Sequence, residues 1–86
     1  MENSKYIEKK IRKYIIATFD NPTRYLCKTP GEKEYLFTKD IEYATKTMRY
    51  NLAEQVKQYY YNDTGMTIDL VVLPLDITYE LVDETN

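Results

Sequence analysis

The stretch Tyr14-Ile15-Ile16-Ala17-Thr18-Phe19-Asp20-Asn21-Pro22-Thr23-Arg24-Tyr25-Leu26-Cys27-Lys28 decides the fold. Aromatic and β-branched residues crowd Tyr14–Phe19, and alternation puts Ile15, Ala17 and Phe19 on one face of a strand. Asp20-Asn21-Pro22-Thr23 then reverses the chain, because Asx side chains bond their own backbone and proline presets a turn dihedral. Arg24–Lys28 reads as a second strand that places Tyr25 and Cys27 together. The next reversal, Thr29-Pro30-Gly31-Glu32, has Pro and Gly at the central places of a type II turn, where the second must reach positive φ. Glu34–Thr38 follows as a third strand with Tyr35 and Phe37 on one face. Two tight reversals in succession predict an antiparallel meander.

Working outward from the meander, Asp40 caps a helical stretch in which Ile41, Ala44, Met48, Leu52, Val56 and Tyr59 recur at helical spacing. Asn51 with Glu54 three residues on has the form of a capping box, so two readings stand: one long helix, or two with a break near residues 45–51. Gly65, after Asn62-Asp63-Thr64, is a left-handed stop. Met66–Val82 is the last strand. Leu73, Leu75, Ile77, Tyr79 and Leu81 alternate with Asp76, Thr78 and Glu80, whereas Ile68, Leu70 and Val72 hold the opposite phase. Pro74 stands at the slip and predicts a β-bulge or an edge position. On the N-terminal side, Ser4 and the Ile7–Ile11 spacing predict a short helix over residues 4–12. The expected fold is α+β: a four-stranded antiparallel sheet, order α-βββ-α(α)-β, with a main amphipathic helix on one face.

The whole is one domain of 86 residues, with a basic segment at 1–13, a core at 14–82 and an acidic tail at 83–86. Residues 1–13 carry a net +3, residues 14–57 carry +1, and from Gln58 onward six acids and no base give −6. Either the two ends pair with each other or the acidic third addresses a basic groove on a partner. With no His, imidazole catalysis, His triads and His-bearing zinc sites are excluded. A single Cys27 excludes an intramolecular disulfide, agrees with a reducing cytoplasm, and reads as a small buried residue rather than a nucleophile. No run approaches a membrane span, and the charged N-terminus is no signal peptide.

Ten tyrosines stand against no Trp and two Phe. On a continuous helix, Tyr43, Tyr50 and Tyr61 fall within about 20° of one another, opposite the apolar stripe, and would form a contact row. If the helix breaks, Tyr43 and Tyr50 turn inward instead. In the triplet Tyr59-Tyr60-Tyr61 the stripe predicts Tyr59 in the core, Tyr60 at its margin and Tyr61 exposed. The acids Asp63, Asp69, Asp76, Glu80, Asp83 and Glu84 are the candidate charged contacts. Asp76, Glu80 and Glu84 lie about 13 Å apart along one strand face, too far to work as a catalytic carboxylate pair. Asp20-Asn21, Asp40 and Asn62-Asp63 lack the spacing of a calcium loop and read as caps and turns. Gly31 and Gly65 both sit at reversals, not in a phosphate loop. The chain therefore reads as a binding module and not an enzyme, with no cofactor and no metal.

The run Tyr35-Leu36-Phe37-Thr38-Lys39-Asp40-Ile41-Glu42-Tyr43-Ala44-Thr45-Lys46, the Asn51–Tyr60 helix and the Leu70–Leu75 to Tyr79-Glu80-Leu81 strand resemble small phage and prophage proteins of Gram-positive bacteria. Among those of this size are anti-CRISPR proteins that inhibit Cas9. The resemblance implies a protein of the host bacterial cytoplasm that inhibits a Cas9-type nuclease by stoichiometric surface occupation. Acids would meet the nuclease's basic groove and tyrosines would supply contact area, so affinity would fall with salt. It implies a monomer or weak homodimer with no small-molecule substrate and no membrane or direct nucleic-acid binding. A net charge of −2 with a basic head departs from strongly acidic DNA mimics. The other reading is a phage assembly module that self-associates through a sheet edge or the tyrosine face.

Overall fold

The computed structural model describes residues 8–28 and 34–81. In chain order the elements are β1 (Glu8–Thr18), β2 (Tyr25–Cys27), β3 (Leu36–Thr38), a single 3₁₀ turn (Ile41–Tyr43), α1 (Tyr50–Thr64) and β4 (Leu70–Glu80). The strands form one antiparallel sheet in the order β3-β2-β1-β4, and α1 lies between β3 and β4 in the chain. The class is α+β, as expected. The Asp20–Thr23 reversal joins β1 to β2, with a cis Asn21–Pro22 peptide. The predicted type II turn, Thr29–Glu32, lies outside the described residues.

The first correction is at the N-terminal side. Residues 8–12, expected in a helix, belong to β1, while Ser4 lies outside the described residues. Ile7 and Ile11 fit a helix by spacing alone, but every residue from Glu8 to Lys13 finds a partner across the ladder in β4. Pairing over eleven positions outweighs the weak local preference of a nine-residue helix, which is marginal by itself.

The core cluster is Ile16, Leu26, Ala53, Tyr60, Leu70 and Val72, with Tyr14, Tyr35, Phe37, Val56, Tyr61 and Ile68 packed around it. These residues come from α1 and from the sheet face beneath it. β1 is the central strand, and Ile15, Ile16, Ala17 and Thr18 are all buried, so it is covered on both faces at this end. Phe19, expected to share a face with Ile15 and Ala17, is 70% exposed where the strand gives way to the turn. Cys27 is a free, half-buried thiol.

The helix breaks, and the break has an identifiable cause. Asp40 caps the 3₁₀ turn by accepting from the Glu42 N–H. Beyond it the chain satisfies its backbone on the sheet: Thr45 N–H donates to the Leu26 carbonyl, and Thr47 exchanges two hydrogen bonds of 2.9 Å with Tyr14. The Thr45 hydroxyl also accepts from the Lys28 N–H and donates to the Lys28 carbonyl. α1 restarts at Tyr50 with Arg49 as N-cap and no side-chain cap, so the Asn51–Glu54 capping box is not formed. The restart shifts the helix phase. The buried face carries Ala53, Val56 and Tyr60, while Ile41, Met48, Leu52 and Tyr59 of the expected stripe are exposed. Gly65 ends α1 at φ 69°, its N–H donating to the Tyr61 carbonyl.

β4 runs opposite β1 without interruption, from Thr18↔Leu70 to Glu8↔Glu80, so Pro74 marks no bulge. It occupies the edge strand, the other expected place. Both backbone groups of Tyr14 go to Thr47, so Tyr14 and Pro74 form a non-hydrogen-bonded pair and the proline nitrogen points to the free edge. The slip in hydrophobic phase has another origin: the two halves of the strand present apolar residues to opposite faces. Ile68, Leu70 and Val72 pack toward α1, and Leu73, Leu75, Ile77 and Tyr79 point the other way.

Candidate functional site

Beyond Tyr14 and Pro74 the sheet narrows to two strands. Residues 8–13 and 75–80 form a ribbon arm about 20 Å long at about 3.3 Å per residue. Alternation gives the arm two different faces. On the α1 side lie Lys10, Arg12, Asp76, Thr78 and Glu80, all exposed. The opposite face pairs Ile11 with Ile77, Lys13 with Leu75, and Lys9 with Tyr79. Here Ile11, Leu75 and Ile77 are half-buried, while Tyr79 is 55% exposed.

One ion pair fastens the arm across its strands. Arg12 donates from Nε and Nη2 to the two carboxylate oxygens of Asp76, at 2.8 and 3.0 Å. This fork-to-fork geometry uses the planar guanidinium fully. The hydrogen bond from Arg12, with the charges of Arg12 and Lys10, holds the Asp76 carboxyl below its ordinary range despite partial burial. Arg12 is raised in turn by Asp76.

At the base of the arm, opposite α1, an open groove of about 460 Å³ lies between the 3₁₀ segment and β4. Ile41, Glu42 and Lys46 line one side, and the Leu75–Thr78 stretch lines the other. The Lys46 ammonium donates to the carbonyls of Glu42 and Ala44, which fixes that wall. Lys13 reaches Met48 Sδ at 2.8 Å, tying the root of the arm to the loop before α1.

The structure separates most of the residues singled out by sequence. Tyr43 and Tyr50 are exposed, at 68% and 53%, and do not turn into the core after the break. They no longer share one helix, so the row is lost. Tyr50 packs edge-on against Tyr14 at 5.9 Å and donates to Glu54. That bond raises the Tyr50 hydroxyl and, with Lys57, lowers Glu54. Tyr61, expected outside, is half-buried: its hydroxyl donates to the Ile68 carbonyl and accepts from the Leu70 N–H, stitching α1 to the start of β4. Tyr60, expected at the margin, is the buried member of the triplet, with Tyr35, Phe37 and Tyr61 edge-on around it.

Among the described residues the acids form no single patch. Asp63 accepts from the Tyr35 hydroxyl, and burial together with that bond pushes Tyr35 up to about 12. Asp69 is exposed just before β4, about 36 Å along the strand from Glu80. Asp76 is committed to Arg12, and Asp83 and Glu84 lie outside the described residues. Across β1 and β4 one pair from the two charged ends meets, Arg12 with Asp76, while Lys10 and Glu80 stay exposed. Sequence reasoning misses the arm because residues 8–12 of its first strand fall within the helix expected over 4–12. The signal was Lys-Lys-Ile-Arg-Lys facing Leu-Asp-Ile-Thr-Tyr, visible only once the two are paired.

No protein family, curated protein or solved structure matches the chain. Among the described residues no helix is long and apolar enough to cross a membrane.

Proposed function

We propose that this protein acts by occupying the surface of another protein, with the ribbon arm as the contact element. The observation that carries the reading is the arm's outer face, where Leu75, Ile77 and Tyr79 line up beside Lys9 and Lys13 on a two-stranded support. Such a face joins apolar area to flanking charge, the composition that suits a protein partner. The sequence resemblance supplies the partner class, a Cas9-type nuclease of a bacterial host. The dispersed acids make steric occupation by the arm a better mechanism than imitation of nucleic-acid phosphates.

The test is a cleavage assay with guide-loaded nuclease and target DNA. Equimolar protein should suppress cleavage, and Tyr79→Ala should weaken suppression at least tenfold while leaving circular dichroism unchanged. Full cleavage in the presence of excess protein would overturn the nuclease reading. Full potency of Tyr79→Ala would remove the arm from it.

A further inference from the structure

We propose that a second copy of this chain pairs with the free edge of β4, making one continuous eight-stranded sheet around a two-fold axis at Leu75. This goes beyond the partner-binding reading and stands or falls separately from it.

The backbone geometry selects the pairing. Because Tyr14 turns its N–H and C=O toward Thr47, the odd residues of β1 bond to β4, and the even residues of β4 direct their backbone groups outward. Val72, Asp76, Thr78 and Glu80 thus offer both a donor and an acceptor at the edge, while Pro74 offers its carbonyl and Leu70 only its carbonyl, its N–H being held by the Tyr61 hydroxyl. Among the described residues no strand takes them up, since β4 ends the sheet. From Val72 to Glu80 this edge has no strand beside it among the described residues, and such an edge is an open template for another strand.

Antiparallel self-pairing must match even residues with even residues. With the axis at Leu75, Val72 meets the second copy's Thr78 and Pro74 meets its Asp76, while Leu70 faces its Glu80 with the carbonyl alone free to accept. No acid then stands directly opposite another acid. Asp76 is in addition neutralised by Arg12 of its own chain. On the face away from α1, Leu73 meets the second copy's Ile77, Leu75 meets its own equivalent, and Val71 meets Tyr79. Leu73 and Tyr79, exposed at 39% and 55% in the single chain, would then lie beside apolar neighbours. The missing Pro74 N–H and the Leu70 N–H held by Tyr61 remove two hydrogen bonds per copy from the set. A closed two-fold contact of this kind is the commonest form of homo-oligomer.

The register is testable by cross-linking. Residues at the axis form a non-hydrogen-bonded pair about 4.5 Å apart, within the window for a disulfide. In a Cys27→Ser background, Leu75→Cys should cross-link to itself on mild oxidation, and Tyr79→Cys should not. Thr78→Pro removes an outward donor without touching the ladder to β1. It should weaken dimerisation at least tenfold in sedimentation equilibrium, with circular dichroism unchanged. A chain that stays monomeric to millimolar concentration overturns the proposal, whatever else the edge binds. Cross-linking at residue 79 but not at 75 overturns the register.

Discussion

The two ends of β1 share one strand, one partner and one unbroken register, yet they differ in almost every other respect. Ile15–Thr18 are buried on both faces, beneath α1 and beside β2, and their ladder sits in the middle of the sheet. Among the described residues Lys9–Arg12 have β4 as their one neighbouring strand, and an exposed ion pair across it. The same eleven residue pairs therefore build a core at one end and an arm at the other. Hydrogen bonding alone does not separate them; apolar cover does. Isolated two-stranded ribbons are marginal in water, so the arm takes its order from the core to which it is joined.

Mutations at the core end should unfold the whole chain, and those at the arm should not. Leu26 is fully buried at the centre of the cluster, and Leu26→Ala should cost about 2–5 kcal/mol. Chemical denaturation would show the loss as a lower midpoint with both halves of β1 unfolding together. If the arm alone loosened, the dependence of arm on core would be broken. Tyr61→Phe removes the hydroxyl that bridges Ile68 and Leu70, and about 1–3 kcal/mol should go with it. Gly65→Ala meets no atom within 4 Å of the added Cβ, so its cost is the left-handed backbone alone, about 1 kcal/mol. A larger loss would mean that the helix end is packed more tightly than its open surroundings imply.

The arm should respond locally and to pH. Asp76 is held below the ordinary carboxylate value, so its contribution is complete above about pH 4, the unfolded value, and is lost as pH falls through the lowered one. Acidification should dissolve the Arg12–Asp76 contact in NMR spectra while the signals of Ile16 and Leu26 persist. Asp76→Asn should reproduce that state at neutral pH with little change in the thermal midpoint, because exposed pairs contribute little to global stability. A large drop in the midpoint would show that the arm supports the core after all.

Much of the core end was legible in the sequence. Asp20–Thr23 announced the reversal, Asp40 the cap, Gly65 the helix stop and Pro74 an edge strand, since each acts on the backbone within a few residues of itself. The arm was not legible, because Lys9–Lys13 carry no decisive periodicity and become a strand only by pairing with residues more than sixty positions away. The helix phase failed for a related reason. Thr45 and Thr47 bond to β2 and β1, a tertiary event that resets the count, so Tyr60 faces inward where Tyr59 was expected. The candidate contact tyrosines then separated, Tyr61 into a bridging hydrogen bond and Tyr43 onto an exposed turn.

Pairing the first described strand with the last also sets an order of events during synthesis. Arg12 and Asp76 are 64 residues apart, and ribosomes add about 5–20 residues per second, so β1 waits about 3–13 s for its full-length partner. Until β4 emerges, the run Ile15-Ile16-Ala17 has β2 on one side and α1 across one face, but lacks its longest partner strand. The nascent chain thus holds β1 through that interval with one edge of the strand still open. Late closure of this kind follows from non-local topology, and the β1–β4 ladder is the last part of the described sheet to become available in chain order.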